Sequence, residues 1–191
     1  KPRSGRCDLA TYTVAQGTPI IWAHGDDFNP AGASSLGTTE DYELDLTALA
    51  NGVARQGEKG DLGATRPAAY AAFLRWETST NAPTAGLRID VYWAASPSAT
   101  SANDNAGGTS GADGAWPGDS NEDEWALQLM PIGSLIVTND ANTVMVACIN
   151  PEFRPPTRYG MPVVDNNSGY AAAADAVEMA FYLVPITEAI A

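Results

Sequence analysis

Two neighbouring stretches with strict alternation of apolar side chains constrain the fold of this chain most. Residues 68–93, AAYAAFLRWETSTNAPTAGLRIDVYW, contain two runs in which large apolar residues occupy every second position. The first run places Tyr70, Leu74 and Trp76 on one face, and the second begins at Leu87 after the turn-forming sequence TSTNAPTAG. A period of two indicates half-buried strands rather than helices. Because one face of each strand is apolar, the sheet needs a second sheet to cover it.

Comparable runs recur along the chain and define the fold class. We expect an all-β protein, an antiparallel β-sandwich or jelly-roll-like fold of about seven or eight strands. The run TVMVACIN at residues 143–150 is apolar on both faces, so we predict that it is a central strand. The last strand is predicted within VEMAFYLVP, residues 177–185.

The 191 residues suit one domain with an appended segment. We assign residues 40–191 to the sandwich and residues 1–39 to an extended N-terminal arm that wraps the domain or a neighbour. An edge strand followed by a long loop explains residues 1–39 equally well. Residues 95–121 are rich in Gly, Ser, Asn and Asp, which predicts a long exposed loop with Trp116 as an anchor.

The charge of the chain is strongly negative and unevenly distributed. There are 23 acidic residues against 10 Lys and Arg, a formal charge of −13, which opposes binding to nucleic acid phosphates. No Lys or Arg occurs between Ile89 and Phe153, whereas Lys1, Arg3 and Arg6 fall within the first six residues. That basic start is either a contact for an acidic partner or an ordinary solvated terminus. No stretch is apolar over the length of a membrane span, and no signal-peptide pattern is present.

The residue types give little support to catalysis. His24 is the one histidine, it lacks a nucleophile motif, and we expect it to be a loop residue. We therefore predict no enzyme, no cofactor and no metal site. A cation bound by the acidic loop remains the alternative, with ligands drawn from Asp104, Asp113, Asp119, Glu122, Asp123 and Glu124.

The cysteines and the tryptophans near loops leave alternatives open. Cys7 and Cys148 form either a disulfide or two free thiols. Trp22, Trp116 and Trp125 are in or beside predicted loops, where they pack internally, stack on sugars or anchor an interface.

Several phrases together resemble one family. They are ARQGEKGDLGATRP, FLRWETSTNAPTAGLRIDVYWAASPSAT, GGTSGADG, MPIGSLIVTNDANT, RYGMPVVDNNSG and VEMAFYLVPI, within residues 44–186. In these sequence phrases the chain resembles virion structural proteins of tailed bacteriophages. The resemblance implies a non-enzymatic head decoration (cement) protein or a related head or tail surface protein. It supplies no catalytic motif to transfer.

The resemblance also implies a partner and a location. The chain would bind the major capsid protein lattice and copies of itself, as a trimer, on the capsid surface of a virion assembled in the host cytoplasm. The candidate capsid-contact residues are Lys1, Arg3, Arg6 and Trp22. The alternative function is a tail adhesin or carbohydrate-binding β-sandwich module, which the tryptophans near loops suggest.

Overall fold

The chain folds into two facing β-sheets, which confirms the predicted sandwich. A computed structural model describes residues 12–30, 36–118 and 126–190. Apart from two short 3-10 turns, Ala106–Gly108 and Ala126–Gln128, the regular structure in these ranges is β. The strands are β1 Tyr12–Gln16, β2 Ile20–Ala23, β3 Tyr42–Glu43, β4 Val53–Gln56, β5 Gly60–Asp61, β6 Ala69–Glu77, β7 Arg88–Ser96, β8 Gly114–Ala115, β9 Met130–Ile136, β10 Val144–Phe153, β11 Tyr159–Asn167 and β12 Ala180–Ile190.

The strand order is that of a jelly roll. Sheet A runs β10-β6-β12-β2-β3 with β1 added to β12, and sheet B runs β8-β4-β11-β7-β9 with β5 added to β11. Four strands from the first half of the chain pair antiparallel with four from the second half in reverse order: β2 with β12, β4 with β11, β6 with β10, and β7 with β9. A long antiparallel ribbon wound in this way into two sheets is a jelly roll.

Large aromatic side chains fill the space between the sheets. Phe181 of β12 lies between Trp22 of β2 and Leu74 of β6 in the register of sheet A, and all three are fully buried. Trp93 of β7 meets Trp22 edge to face from sheet B, with ring centroids 5.7 Å apart. Leu74, Trp93 and Phe181 are inward positions of alternating runs, so the period of two in the sequence predicts this part of the core correctly. The runs in residues 68–93 become β6 and β7, which lie in opposite sheets.

The strand β10 lies at an edge of sheet A, so the prediction of a central strand is wrong. It pairs with β6 alone, and its outward-facing Val146 and Cys148 are exposed. Its other face carries Met145, Ala147 and Ile149, which pack partly on the core. Apolar residues on both faces predict burial on both sides, but here only the inner face is covered.

The described part of the first 39 residues is partly built into sheet A. Both β1 and β2 pair with β12, and Phe28 packs on the outer face of this sheet with its ring 6.5 Å from that of Tyr182. Residues 12–23 therefore form strands of the sandwich and not an arm that leaves it. Residues 1–11 lie outside the described part of the chain.

Candidate functional site

The four predicted capsid-contact residues divide into two groups. Lys1, Arg3 and Arg6 lie outside the described residues. Trp22 is fully buried, donates its indole N–H to the Glu58 carbonyl at 2.9 Å and stacks on Tyr42. A side chain enclosed in the core cannot contact a capsid, so this expectation for Trp22 is corrected.

The predicted loop lies over the outer face of sheet B, with Gly107, Thr109 and Gly111 buried and most of its other residues exposed. Trp116 is only 4% exposed and packs with Leu129 on Ala94, Met161 and Val163. Its indole N–H donates to the Gly107 carbonyl at 2.8 Å. The residues that precede it, 97–113, join β7 to β8 and are called the cover loop below. Trp116 and Leu129 thus give sheet B a second small apolar core on its outer face, and the hydrogen bond from Trp116 to Gly107 joins the cover loop to it.

Lys59 anchors the first part of the cover loop through hydrogen bonds from its ammonium group. Its ammonium donates to Ser96 Oγ at 2.9 Å and to the carbonyls of Ser98, Thr100 and Asn103 at 3.2, 2.7 and 3.0 Å. Lys59 is 8% exposed, and burial lowers its pKa while the nearby Asp104 carboxylate opposes that shift. Three loop carbonyls converge on one cation, so this lysine fixes the path of the backbone between β7 and the 3-10 turn.

A second anchor of the cover loop comes from β4. The buried Gln56 accepts a hydrogen bond from the Ser110 amide at 3.1 Å and donates to the Ala112 carbonyl at 2.5 Å. Its neighbour Arg55 pairs with Asp113 through two nitrogens. Two adjacent residues of one strand therefore bind the end of the loop that the Lys59 ammonium does not reach.

The Arg55 guanidinium also lies 3.5 Å from Asp45, which joins this carboxylate to the same cluster. Burial favours the neutral form of Asp45, but hydrogen bonds from Thr47 and the charge of Arg55 outweigh it and hold the pKa of Asp45 below its ordinary value. The Asp45 amide donates to Asp113 at 3.1 Å. Asp45 and Asp113 thus help to order the backbone of this region.

The side chains of His24 and Glu43 accept hydrogen bonds from backbone amides of the turn that follows β2. The Nδ1 atom of His24 accepts weak hydrogen bonds from the Asp26 and Asp27 amides at 3.3 and 3.2 Å, as in a local turn. Burial raises the pKa of Glu43, whose carboxylate accepts from the Gly25 amide at 3.0 Å. His24 is therefore a loop residue in which one ring nitrogen is engaged by its own backbone.

The candidate cation ligands do not assemble into a site within the described ranges. Asp113 is bound by Arg55, and Asp104 lies near the Lys59 ammonium. Asp119, Glu122, Asp123 and Glu124 lie outside the described residues. Across the residues that are described, no group of three or more His, Cys, Asp or Glu is placed to hold a metal ion. Cys148 is a free, exposed thiol, and Cys7 lies outside the described residues.

The surfaces open to a partner are of two kinds. The first is a groove of about 690 Å³ at one end of sheet A, lined by Pro67, Ala68, Ala69, Pro151, Glu152, Arg154, Ile186 and Thr187. The second is a set of exposed large apolar side chains: Val14, Leu87, Leu127, Met130, Ile136, Val146 and Tyr170. Of these, Val146 and Ile136 lie on edge strands of the two sheets, on β10 and β9.

Sequence reasoning missed Lys59 and Gln56, the two side chains that organise the cover loop. Both lie 37 or more residues before their partners, so no local pattern joins them to the loop. One signal was present: Lys59 is one of two lysines in the chain and stands between acidic residues in GEKGD.

Comparison with protein-family models, with curated proteins and with solved structures finds no match for this chain. In the described ranges, none of the helical segments has the length and apolar character needed to cross a bilayer. The proposals below therefore depend on the residues of this chain and on the resemblance described above.

Proposed function

We propose that this chain is a structural protein of a tailed-bacteriophage virion that decorates and stabilises the capsid by binding the lattice of the major capsid protein. In this proposal it is not an enzyme and uses no cofactor. It acts on the capsid surface, after assembly in the host cytoplasm, and contacts copies of itself as well as the capsid.

The observation that supports this proposal most is the use of polar side chains inside the fold. The buried Lys59 and Gln56 and the Arg55–Asp113 pair all hold loop backbone in place. A protein that must keep one shape on a particle benefits from such locked loops, because every residue ordered before binding lowers the entropic cost of binding. The jelly-roll topology adds an analogy, since this architecture occurs in viral capsid domains and also in lectins.

Charge supports the same proposal. With a formal charge of −13, the molecule is repelled by packaged nucleic acid and by other acidic surfaces. The cations at Lys1, Arg3 and Arg6 are concentrated in six residues that carry no acid. A partner with an acidic surface would therefore meet the first residues of the chain, and the attraction would weaken as salt is raised.

The alternative, a carbohydrate-binding module or adhesin, loses two of the three tryptophans that suggested it together with the β-sandwich pattern. Trp22 and Trp116, two of the three tryptophans considered as sugar platforms, are 0% and 4% exposed. Trp125 lies outside the described residues. A stacking platform needs an open indole face, which neither of the two buried side chains offers.

The direct test is binding to capsids assembled without this protein. The purified chain is mixed with such particles and sedimented, and the capsid melting temperature is measured with and without it. We expect saturable co-sedimentation and a higher melting temperature, because a ligand that binds only the assembled state stabilises it. Absence of binding to assembled particles, or a signal on a glycan array in its place, would contradict the proposal.

A charge-reversal variant tests the contact. Replacing Lys1, Arg3 and Arg6 with Glu is expected to weaken co-sedimentation and to reduce its salt dependence. The matched control is Arg154→Glu, which reverses an exposed cation of the described structure. Equal weakening per reversed charge by the control would show that net charge, and not the basic start, governs binding.

A further inference from the structure

The strand β10 has the sequence of an interior strand and the position of an edge strand. Residues 143–151, TVMVACINP, contain no charged residue, and both faces of the strand carry apolar side chains. Yet β10 ends sheet A and pairs with β6 alone. Natural edge strands are usually short, charged, bulged or covered, because a bare edge can pair with another strand. A conflict of this kind between sequence and position suggests that a neighbour is missing.

The strands that end the two sheets elsewhere are short or interrupted, whereas β1, a five-residue uncharged strand that pairs with β12 alone among the described strands, is a further edge strand of sheet A. Both β3 and β8, which end the sheets on the opposite side, are two residues long. The edge strand β9 contains Pro131, which has no N–H to donate, and shows a register shift against β7 at Val91/Tyr92. Of the four described strands that end the two sheet orders, β10 alone is both long and free of such features over its first five residues.

The regular part of β10 is short and well defined. From Val144 to Cys148 the strand is in unbroken register with β6, and shifts follow between Cys148 and Asn150 and between Asn150 and Phe153. In the second half of β10, the side-chain amide of Asn150 donates to the Ile132 carbonyl of β9 at 2.9 Å, which joins this half of the strand to the other sheet. The pairing surface is therefore confined to Val144–Cys148, where Val146 is 49% exposed.

We infer that β10 pairs antiparallel with β10 of a second copy of this chain, across a two-fold axis near Val146, so that the two A sheets become continuous. In this register Val146 faces its own copy, and Val144 faces Cys148 of the partner. Each cross-strand pair is apolar, which favours strand pairing. A two-fold contact of one patch with itself requires such self-complementarity.

Charge permits a second copy at this edge, and the self-complementary apolar pairs favour it. Two molecules of charge −13 repel each other at most orientations, but the nine uncharged residues of TVMVACINP let the strands meet here without opposing acids. The contact is small, so we expect a weak dimer in solution. It is independent of the proposed virion role, and it differs from the trimer that the resemblance implies.

The first test is covalent trapping. In a Cys7→Ser, Cys148→Ser background, Val146→Cys places a thiol opposite itself. Directly opposed residues in antiparallel strands have Cα atoms about 4.5–5.5 Å apart, within the range for a disulfide. We expect mild oxidation to give a covalent dimer at high yield. The matched control is Ile136→Cys in the same background, a 60% exposed residue on the edge strand of the other sheet. Equal cross-linking of the two variants would overturn the inference.

The second test is the association state of the chain without added cysteines. Sedimentation equilibrium from about 10 to 500 µM should show a monomer–dimer equilibrium for the wild type. Val146→Lys opposes two like charges at the axis and should raise the dissociation constant by about tenfold or more, whereas Ile136→Lys should leave it unchanged. A strictly monomeric wild type, a trimer, or equal effects of the two lysine variants would refute the contact. A monomer that still binds capsids would refute this inference alone.

Discussion

Replacing Lys59 with Met should detach the cover loop and lower the stability of the domain. The substitution removes an ammonium that donates to four oxygens at 2.7–3.2 Å. An ammonium has three N–H groups to share among these acceptors. At about 1.5–3 kcal/mol for each bond from a charged donor, its hydrogen bonds together favour folding by about 4.5–9 kcal/mol. Burial of the charge costs several kcal/mol, and the freed carbonyls can be hydrated if the loop opens. We therefore expect a net loss of about 3 kcal/mol.

Two measurements check this value. Urea unfolding gives the change in the free energy of unfolding, and hydrogen exchange shows whether the loss is local. Amides in residues 97–113 should exchange faster in Lys59→Met, while those of β6 and β12 should change only in proportion to global stability. Arg154→Met, at an exposed cation, is the control and should leave both measurements unchanged.

Chemical rescue is a further test of Lys59 as the anchor of the cover loop. Lys59→Ala removes three methylene groups and the ammonium, which together correspond to propylammonium. Added propylammonium chloride should restore protection of the cover loop more than sodium chloride at equal ionic strength. If Lys59→Met unfolds at the same urea concentration as the wild type and residues 97–113 keep their exchange rates, the assignment of Lys59 as the loop anchor is wrong.

Three further substitutions probe the core, the packing of a glycine and the acid response. Trp116→Ala should lower the free energy of unfolding by about 3–5 kcal/mol in urea titrations, because a buried indole leaves a cavity over sheet B. Gly160→Ala should cost about 1–3 kcal/mol in the same assay, since the new Cβ would lie 2.5 Å from the indole of Trp93. Asp45 has a lowered pKa in the folded state, so the unfolded chain binds more protons and the wild type loses stability as pH falls below about 4. Urea titrations from about pH 6 to pH 3 should therefore show that the stability advantage of the wild type over Asp45→Asn shrinks toward acid; a constant difference would contradict the lowered pKa.

The alternation of apolar residues predicted the part of the core that lies on the long alternating strands. Tyr70, Leu74 and Trp76 all face inward, as their spacing requires, and so does Phe181. This success has a simple cause: the side-chain period of a strand is a local property of the backbone, and burial of one face follows from it.

The same reasoning failed where burial depends on distant partners. Strand position within a sheet is set by pairing between segments far apart in sequence, so TVMVACIN could not reveal that it lies at an edge. Composition predicted a solvated loop, but it could not reveal that Lys59 and Gln56 order the backbone of this loop from a segment that precedes it by 37 residues or more. Trp22 stood in a loosely patterned stretch and became the centre of the aromatic core.

The place of β12 in sheet A has a consequence for synthesis of the protein. This last strand lies between β6 and β2, and it alone joins them. A nascent chain of which only residues up to 179 have left the ribosome therefore cannot complete that sheet. Trp22 and Leu74 then lack the strand that places Phe181 between them. Folding of sheet A must wait until residues 180–190 have left the ribosome, and truncation before residue 180 should yield aggregates instead of a shortened domain.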